Sequence, residues 1–441
     1  MRKPNLGILV KPVSHDCNMA CSYCYYRPVQ ALYPDEPRPR ITDEVFAAVC
    51  EQYRALELAE IKIGWQGGEP TLMGLDFFRR AVEIEGRSAR AGDCWGNSLQ
   101  TNGALLNEEW AAFLAQKRFL VGISMDGPAD LNTMRRSMAG GPVHEGTMRA
   151  VELLKRHGVE FNVLVVVSRA NCAEPRRIFR FLVENDLHYS QFIPCTEPGG
   201  APGTLTEHSV SAAEYGEFMA RLFDAWIEND DPSYYVRAID NYLHQFFGLP
   251  PECCEYREDC SNLVTVEWNG DVYPCDFFVE PRYRMGNVLE QTLEQMLSGP
   301  AFRSFVDAAE HVPAMCARCD YLRFCHAGCF RHRQKLGIGP EEMPYLCEAN
   351  KRIFGHVFST FWHVLEEPEH PQLHAFMGRI AAEVKEGRHS PRSPAPAPQR
   401  AARGASGAAR STPNRNSACP CGSGRKFKHC CGRAVARQQR R

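Results

Sequence analysis

Short apolar runs alternate with longer stretches of helical period through the first half of the chain. Leu6 to Val13, Ile61 to Trp65, Asn97 to Thr101, Leu120 to Met125, Phe161 to Val167 and Tyr189 to Ile193 read as strands. Asp43 to Leu56, Leu75 to Arg90, Glu108 to Gln116, Val143 to His157 and Pro175 to Glu184 read as helices between them, with Thr42 as an N-cap and Pro175 in a first helical turn. Six strands, each separated by a helix, predict an α/β chain with a parallel sheet, either curled as a partial barrel or opened as a doubly wound sheet. Ser211 to Asn229 continues as a helix, and Leu263 to Cys275 alternates as a strand pair turned at Asn269-Gly270. From Arg388 to Asn416 the pattern dissolves into Pro, Ala, Ser, Gly and Arg, which cannot bury a core and reads as a flexible linker.

Composition and charge add four constraints. The 441 residues leave room for two or three domains. Apolar runs such as Val163 to Val167 are far too short to cross a bilayer, and Met1-Arg2-Lys3-Pro4 leads into a strand without a small-residue cleavage site, so a cytoplasmic protein with no membrane partner is expected. The net charge of -2 conceals 13 Lys or Arg and no acid after residue 387, leaving 38 basic against 53 acidic side chains in the body. A basic tail can touch an acidic partner or remain solvated, and nucleic acid is not the expected one. Twenty cysteines, mostly in tight clusters, point to metal rather than disulfides in a reducing compartment.

The tightest cluster is Cys17-Asn18-Met19-Ala20-Cys21-Ser22-Tyr23-Cys24, directly after the first strand. Three thiolates in one loop can hold three corners of a four-iron cube and leave the fourth open for chemistry; a zinc or disulfide loop is the plainer alternative. The spacing resembles the CxxxCxxC signature of radical SAM enzymes, in which the open iron binds S-adenosylmethionine and the reduced cluster cleaves it to a 5'-deoxyadenosyl radical. The resemblance implies an incomplete six-stranded barrel and places Tyr23 against the adenine. In a parallel sheet reactive residues gather at the carboxyl ends of strands. There Gln66-Gly67-Gly68-Glu69-Pro70 looks like the family's motif for the methionine end of the cofactor, and the resemblance puts Ser124 and Arg136 at its ribose and carboxylate and Thr196 near the adenine. Each of these polar residues, taken bare, also suits a cap or a surface.

A second cysteine-rich region offers Cys254, Cys260, Cys275, Cys316, Cys319, Cys325, Cys329 and Cys347, with Cys253 an alternative to Cys254. Eight thiols divide into two sets of four, for iron–sulfur clusters or for structural zinc. The order resembles a SPASM domain with two auxiliary [4Fe-4S] clusters, which implies Cys254, Cys260, Cys275 and Cys329 for one and Cys316, Cys319, Cys325 and Cys347 for the other. Cys50, Cys94, Cys172 and Cys195 are expected to be ordinary thiols. Asp276 follows Cys275 in Tyr273-Pro274-Cys275-Asp276-Phe277-Phe278, and here the resemblance narrows to anaerobic sulfatase-maturating enzymes, whose Asp at this point is a general base. Without the motif it would read as a surface Asp in a turn. The chain closes with Cys419, Cys421, Cys430 and Cys431, a four-thiolate set for Zn2+ that looks like the SEC-C motif, with His429 the lesser candidate for the fourth ligand.

The family implies oxidation of a Cys or Ser in an unfolded sulfatase polypeptide to Cα-formylglycine, with Asp276 taking the substrate's proton, three [4Fe-4S] clusters, S-adenosylmethionine, and a donor such as flavodoxin or ferredoxin. Rivals are another SPASM peptide-modifying enzyme that forms thioether or carbon–carbon crosslinks, and a non-catalytic iron–sulfur or zinc carrier. The expected units are residues 1–235 (barrel), 236–370 (SPASM domain), 371–416 (helix end and linker) and 417–433 (SEC-C motif), the last with no partner assigned.

Overall fold

The computed structural model describes residues 6–387 apart from 59, 91, 92, 94 and 202. Seven strands run in order along one sheet: β1 (Gly7–Lys11), β2 (Ile61–Trp65), β3 (Trp95–Thr101), β4 (Leu120–Ser124), β5 (Phe161–Val167), β6 (Tyr189–Pro194) and the two-residue β7 (Tyr235–Val236), each parallel to its neighbour. Helices α1 (Asp43–Ala55), α2 (Leu75–Ser88), α3 (Glu108–Gln116), α4 (His144–Arg156), α5 (Pro175–Glu184) and α6 (Ala212–Asn229) follow β1 to β6 in turn, making the six β/α units of the expected partial barrel. Local signals fix their ends. Thr42 accepts the Val45 N–H at 3.2 Å, Pro175 opens α5, and Ser211 caps α6 in a reciprocal box with Glu214.

The sheet does not stop at the barrel. After α7 (Arg237–Phe246) comes the hairpin of β8 (Leu263–Glu267) and β9 (Asp271–Tyr273), and β8 pairs parallel with β1 from Gly7↔Leu263 to Lys11↔Glu267. The short β10 (Gly286–Asn287) then completes ten strands. At the opposite edge β7 straddles the expected boundary between residues 235 and 236. Thus the cysteine-rich region supplies the edge that covers β1, whose unpaired N–H and C=O groups would otherwise face solvent.

The rest of that region is built from short helices, α8 (Leu293–Leu297), α9 (Pro300–Glu310), α10 (Leu322–Cys325) and α11 (Arg331–Gln334), followed by the long α12 (Cys347–Glu366) and α13 (Pro371–Lys385). Helix α12 lies against α6 at a close crossing: a Cβ on Gly216 would come within 2.9 Å of the Ala349 Cα. Phe223, Phe246, Phe354, Phe361 and Trp362 fill the core between α6, α7 and α12. A second core packs Phe46, Trp65, Phe78, Trp110 and Phe119 under α1 to α3. Helix α13 is docked rather than trailing, because Leu373 and Met377 are buried and Asp230 accepts the Leu373 N–H at 3.0 Å. Residues 388–441, with the linker and all four SEC-C cysteines, lie outside the described residues, as does Cys94.

One buried carboxylate makes the fold sensitive to pH. Glu85, on α2 and 5% exposed, accepts the Asn97 Nδ2–H at 2.9 Å, while Asn97 in turn accepts from Trp65 Nε1 at 2.7 Å. Burial pushes the Glu85 carboxyl up from 4.5 to about 7. The folded chain therefore binds an extra proton between those values and loses stability as pH rises through them. Glu85→Gln should unfold later than the parent at pH 8, by about 1–3 kcal/mol, with the difference fading below pH 4.5; parallel denaturation curves at both pH values would show that Glu85 carries none of this dependence.

Candidate active site

The loop after β1 is pinned from both sides before any ligand is considered. On one side the Gly68 N–H donates to Ser14 O at 2.6 Å and the Glu69 N–H to Asp16 O at 2.9 Å. A Cβ on Gly68 would sit 1.9 Å from Asp16 O, so the glycine motif serves first to let the β2 loop lie against the cysteine loop. On the other side Ala20 N–H donates to Arg136 O at 2.9 Å and Ser22 N–H to Met134 O at 3.1 Å. Cys17, Cys21 and Cys24 are thereby held at the carboxyl end of the sheet, with no disulfide among them.

Burial pushes the Cys17 thiol up to about 12; the Met19 N–H relieves this in part, and Glu69, Cys21 and Cys24 add to it. Burial likewise raises Cys21. Two buried thiols raised in this way stay ionised together only with a cation between them, which suits a metal centre. No three thiols among the described residues lie within 4.8 Å of one another. A single zinc with bonds of about 2.3 Å would draw its sulfurs to roughly 3.8 Å. No set of three stands as close as a single bound zinc would hold it.

Eight further thiols of the cysteine-rich region have one another as neighbours in two places. Cys329 lies within electrostatic reach of Cys254, Cys260 and Cys275. Cys316, Cys319, Cys325 and Cys347 act on one another and converge on a cavity of about 120 Å³. Cys325 and Cys329 are four residues apart yet face different groups because His326, Ala327 and Gly328 between them take φ of 44°, 64° and 73°. That left-handed turn reverses the chain. Cys253 is occupied elsewhere: it is buried, its N–H donates to Asn241 Oδ1 at 2.9 Å and its Sγ accepts from Asn241 Nδ2 at 3.5 Å. Cys50 and Cys195 are buried and Cys172 half-buried, all free.

Asp276 is carried to the cysteine loop by the β8–β9 hairpin. Its carboxylate is buried, accepts the Tyr25 hydroxyl at 2.7 Å and lies 3.6 Å from Lys11 Nζ. Lys11, at the end of β1, is itself fully buried; burial lowers its pKa, opposed by Asp276, Glu267 and Cys275. Gln66 closes the group, accepting from Lys11 at 3.2 Å and donating to the Tyr25 oxygen at 3.4 Å. Arg331 covers it, with its guanidinium 3.9 Å from the Phe277 ring centre, 5.7 Å from that of Tyr25, and ion-paired to Glu197 after β6. Lys11, Tyr25 and Arg331 were not singled out by the sequence reading. A lysine ending an otherwise apolar strand was the available signal for the first.

The residues expected around S-adenosylmethionine have mixed surroundings. Thr196 is 1% exposed and its Oγ1 has no hydrogen-bond partner, a buried polar atom open to a ligand. Ser124 Oγ accepts from Gln100 Nε2 at 2.8 Å. Glu69 is committed to the protein: it accepts from Thr71 N at 3.1 Å, Thr71 Oγ1 at 2.6 Å, Thr101 Oγ1 at 2.8 Å and Asn102 N at 2.8 Å. Only its Oε2 keeps capacity for an ammonium group. Tyr23 is buried, with its hydroxyl on Asp126 and Arg135 5.5 Å from its ring centre. The Arg136 guanidinium is exposed and donates to Gly140 O at 3.2 Å, whereas its neighbour Arg135 is the buried one.

Residues 12–182 match the radical SAM superfamily, residues 254–320 an iron–sulfur cluster-binding domain (SPASM), and residues 415–433 the SEC-C motif. The chain is 34% identical over 370 residues to a serine-type anaerobic sulfatase-maturating enzyme of Bacteroides thetaiotaomicron, covering 80% of this chain and 89% of that one. It is 32% identical to a cysteine-type enzyme of Clostridium perfringens, covering 80% and 97%. A solved structure of anSMEcpe with bound AdoMet and Cp18Cys peptide superposes with a TM-score of 0.76 at 30% identity, over 86% of this chain and 100% of that one. Streptococcus suis SuiB bound to its precursor peptide SuiA shares the fold, at 16% identity and a TM-score of 0.57 over 78% of this chain and 76% of that one. With a relative 34% identical and covered over 89% of its length, the chain belongs to the anaerobic sulfatase-maturating enzymes, radical SAM oxidoreductases with a SPASM domain.

Proposed function

We propose that this chain oxidises a Cys or Ser side chain in an unfolded sulfatase segment to Cα-formylglycine, with Asp276 as the general base. The observation that carries the reading is the convergence of Asp276, Lys11, Tyr25 and Gln66 from four separate parts of the chain beside the Cys17–Cys24 loop. When bound, S-adenosylmethionine and three [4Fe-4S] clusters supply hydrogen-atom removal from the substrate's Cβ and a destination for the second electron. Cys17, Cys21 and Cys24 would hold the first cluster, Cys254, Cys260, Cys275 and Cys329 the second, and Cys316, Cys319, Cys325 and Cys347 the third.

The protein's own part is proton handling and placement. Asp276 takes the proton from the substrate thiol or hydroxyl, and Lys11 stabilises the carboxylate that must be ionised to do so. The Tyr25 hydroxyl and Gln66 amide fix its orientation, while Arg331, laid over Phe277 and Tyr25, shields it from water. Tyr23, Gly67, Gly68, Glu69, Ser124, Arg136 and Thr196 would line the cofactor; the unpartnered Thr196 Oγ1 is the strongest support among them.

The remaining assignments extend this reading. Zinc at Cys419, Cys421, Cys430 and Cys431, a flavodoxin- or ferredoxin-like donor, a cytoplasmic location and the division into four units belong to it as proposals; no helix among the described residues is long and apolar enough to cross a membrane.

Incubated with dithionite and S-adenosylmethionine, the reconstituted protein should release 5'-deoxyadenosine and give aldehyde mass on a matched Cys or Ser peptide; a carrier protein would release none. Asp276→Asn should keep cofactor cleavage while peptide oxidation falls by about 10²-fold or more, and an unchanged aldehyde yield would remove Asp276 from the mechanism. A chain ending at Glu386 retains α13 and should act on a short peptide at the parent's rate; a dead truncation would show that the tail serves the chemistry.

A further inference from the structure

A buried charge pair outside the proton-handling group stands directly against the middle cysteine of the first loop. Ala20 and Ser22 donate their N–H groups to the carbonyls of Arg136 and Met134, and this pairing sets Cys21 opposite Arg135. Arg135 is 7% exposed, its Nη2 donates to Asp126 Oδ1 at 2.9 Å, and its Nε–H is buried without an acceptor. Asp126, 1% exposed, is held in turn by the Tyr23 hydroxyl and by the Val166 N–H at 3.0 Å.

A buried cation set opposite a cluster cysteine has a specific consequence for an iron–sulfur centre. Reduction adds one negative charge to the core, and a nearby positive charge or an N–H donated to sulfur stabilises the reduced form. Low local polarity keeps both effects strong. An acidic neighbour opposes them.

We propose that Arg135 and Asp126 set the reduction potential of the centre held by Cys17, Cys21 and Cys24. Arg135 raises it by placing a buried positive charge opposite Cys21. Asp126 lowers it directly while holding the guanidinium in place. Both are positioning residues for the electron that starts the reaction, and the inference rests on the reading of those three thiols as cluster ligands.

The test is an anaerobic redox titration of the full-length reconstituted protein followed by electron paramagnetic resonance, without S-adenosylmethionine. The signal of the first cluster is identified separately as the one that changes when S-adenosylmethionine is added. Arg135→Gln should move its midpoint to more negative potential and Asp126→Asn to more positive, with Arg135→Lys closer to the parent than Arg135→Gln. The auxiliary signals should stay where they are. A general loosening of the loop would not produce opposite signs, so equal midpoints, or shifts in one direction for both variants, overturn the proposal. Should Arg135→Gln fail to assemble the centre, Asp126→Asn decides alone: a positive shift supports the inference, and any other result ends it. A parent protein with no signal responsive to S-adenosylmethionine would defeat the cluster reading itself, a failure distinct from an unmoved midpoint.

Discussion

Everything at the candidate site depends on five residues of parallel pairing between β1 and β8. Strand β1 delivers Lys11 and the cysteine loop; β8 turns into β9, which delivers Cys275 and Asp276. Because the two strands share one register, from Gly7↔Leu263 to Lys11↔Glu267, the ends of both are fixed relative to each other by backbone hydrogen bonds rather than by side chains alone. A one-residue slip would turn Lys11 to the opposite face and separate it from Asp276. The contact between Tyr25 and Asp276 builds on the same constraint, because the cysteine loop pinned against Gly68, Glu69, Met134 and Arg136 carries Tyr25 back to the residues after β9. An edge that would otherwise have been a liability thus joins the two halves of the chemistry.

The second constraint is electrostatic. Eleven thiols of the proposed cluster sets are gathered into the interior and loop regions of a body rich in acids, and burial disfavours the thiolate form in nearly all of them. The same regions hold cations that are equally costly to bury alone. Lys11 is fully buried, Arg135 7% exposed, and Arg331 and Arg333 5% and 3%. Lys11, Arg135 and Arg331 have the carboxylates of Asp276, Asp126 and Glu197 beside them, whereas Arg333 has the thiols of Cys260, Cys316 and Cys329 as its electrostatic neighbours. Buried charges persist only when compensated. Thiolate-bound clusters would supply the missing negative charge, so cations and cysteines are mutually stabilising once metal is present, and each set is strained without it.

What the sequence made legible was whatever is local. The six barrel strands and their helices were readable because side-chain periodicity and caps act within a few residues, and Phe161–Val167, Ile61–Trp65 and Glu108–Gln116 have the bounds that the pattern implies. Cysteine spacing within a loop was equally local. The β1–β8 pairing was not readable, since β8 alternates like any hairpin strand and nothing in Leu263 to Glu267 names its distant neighbour. The crossing of Cys329 to the group of Cys254 came from family resemblance; its physical origin is the left-handed run His326–Gly328, which a His-Ala-Gly sequence does not announce. Arg135 and Arg136 are adjacent and chemically identical on paper. Only the pairing of Ala20 and Ser22 with the backbone around them decides which guanidinium is buried against the loop.

The adjacency of Cys275 and Asp276 joins the register constraint to the electrostatic one. The Cys275 Sγ lies 3.6 Å from Asp276 Oδ1, and Asp276 Oδ2 accepts from Tyr25, the residue directly after Cys24. On the proposed reading, one carboxylate therefore touches a ligand of one cluster and, through a single hydrogen bond, the loop that carries another. Oxidising a substrate by two electrons while removing its proton requires that charge leave in both forms, or the site becomes too polar to stay dry. Lys11 and Arg331 hold a fixed positive field at that junction before any substrate arrives, so the charge that develops there meets dipoles and cations already in place and little rearrangement is needed. Preorganisation of this kind is what the continuous sheet makes possible, and it is also why the barrel and the cysteine-rich region are built as one surface rather than as two modules joined by a linker.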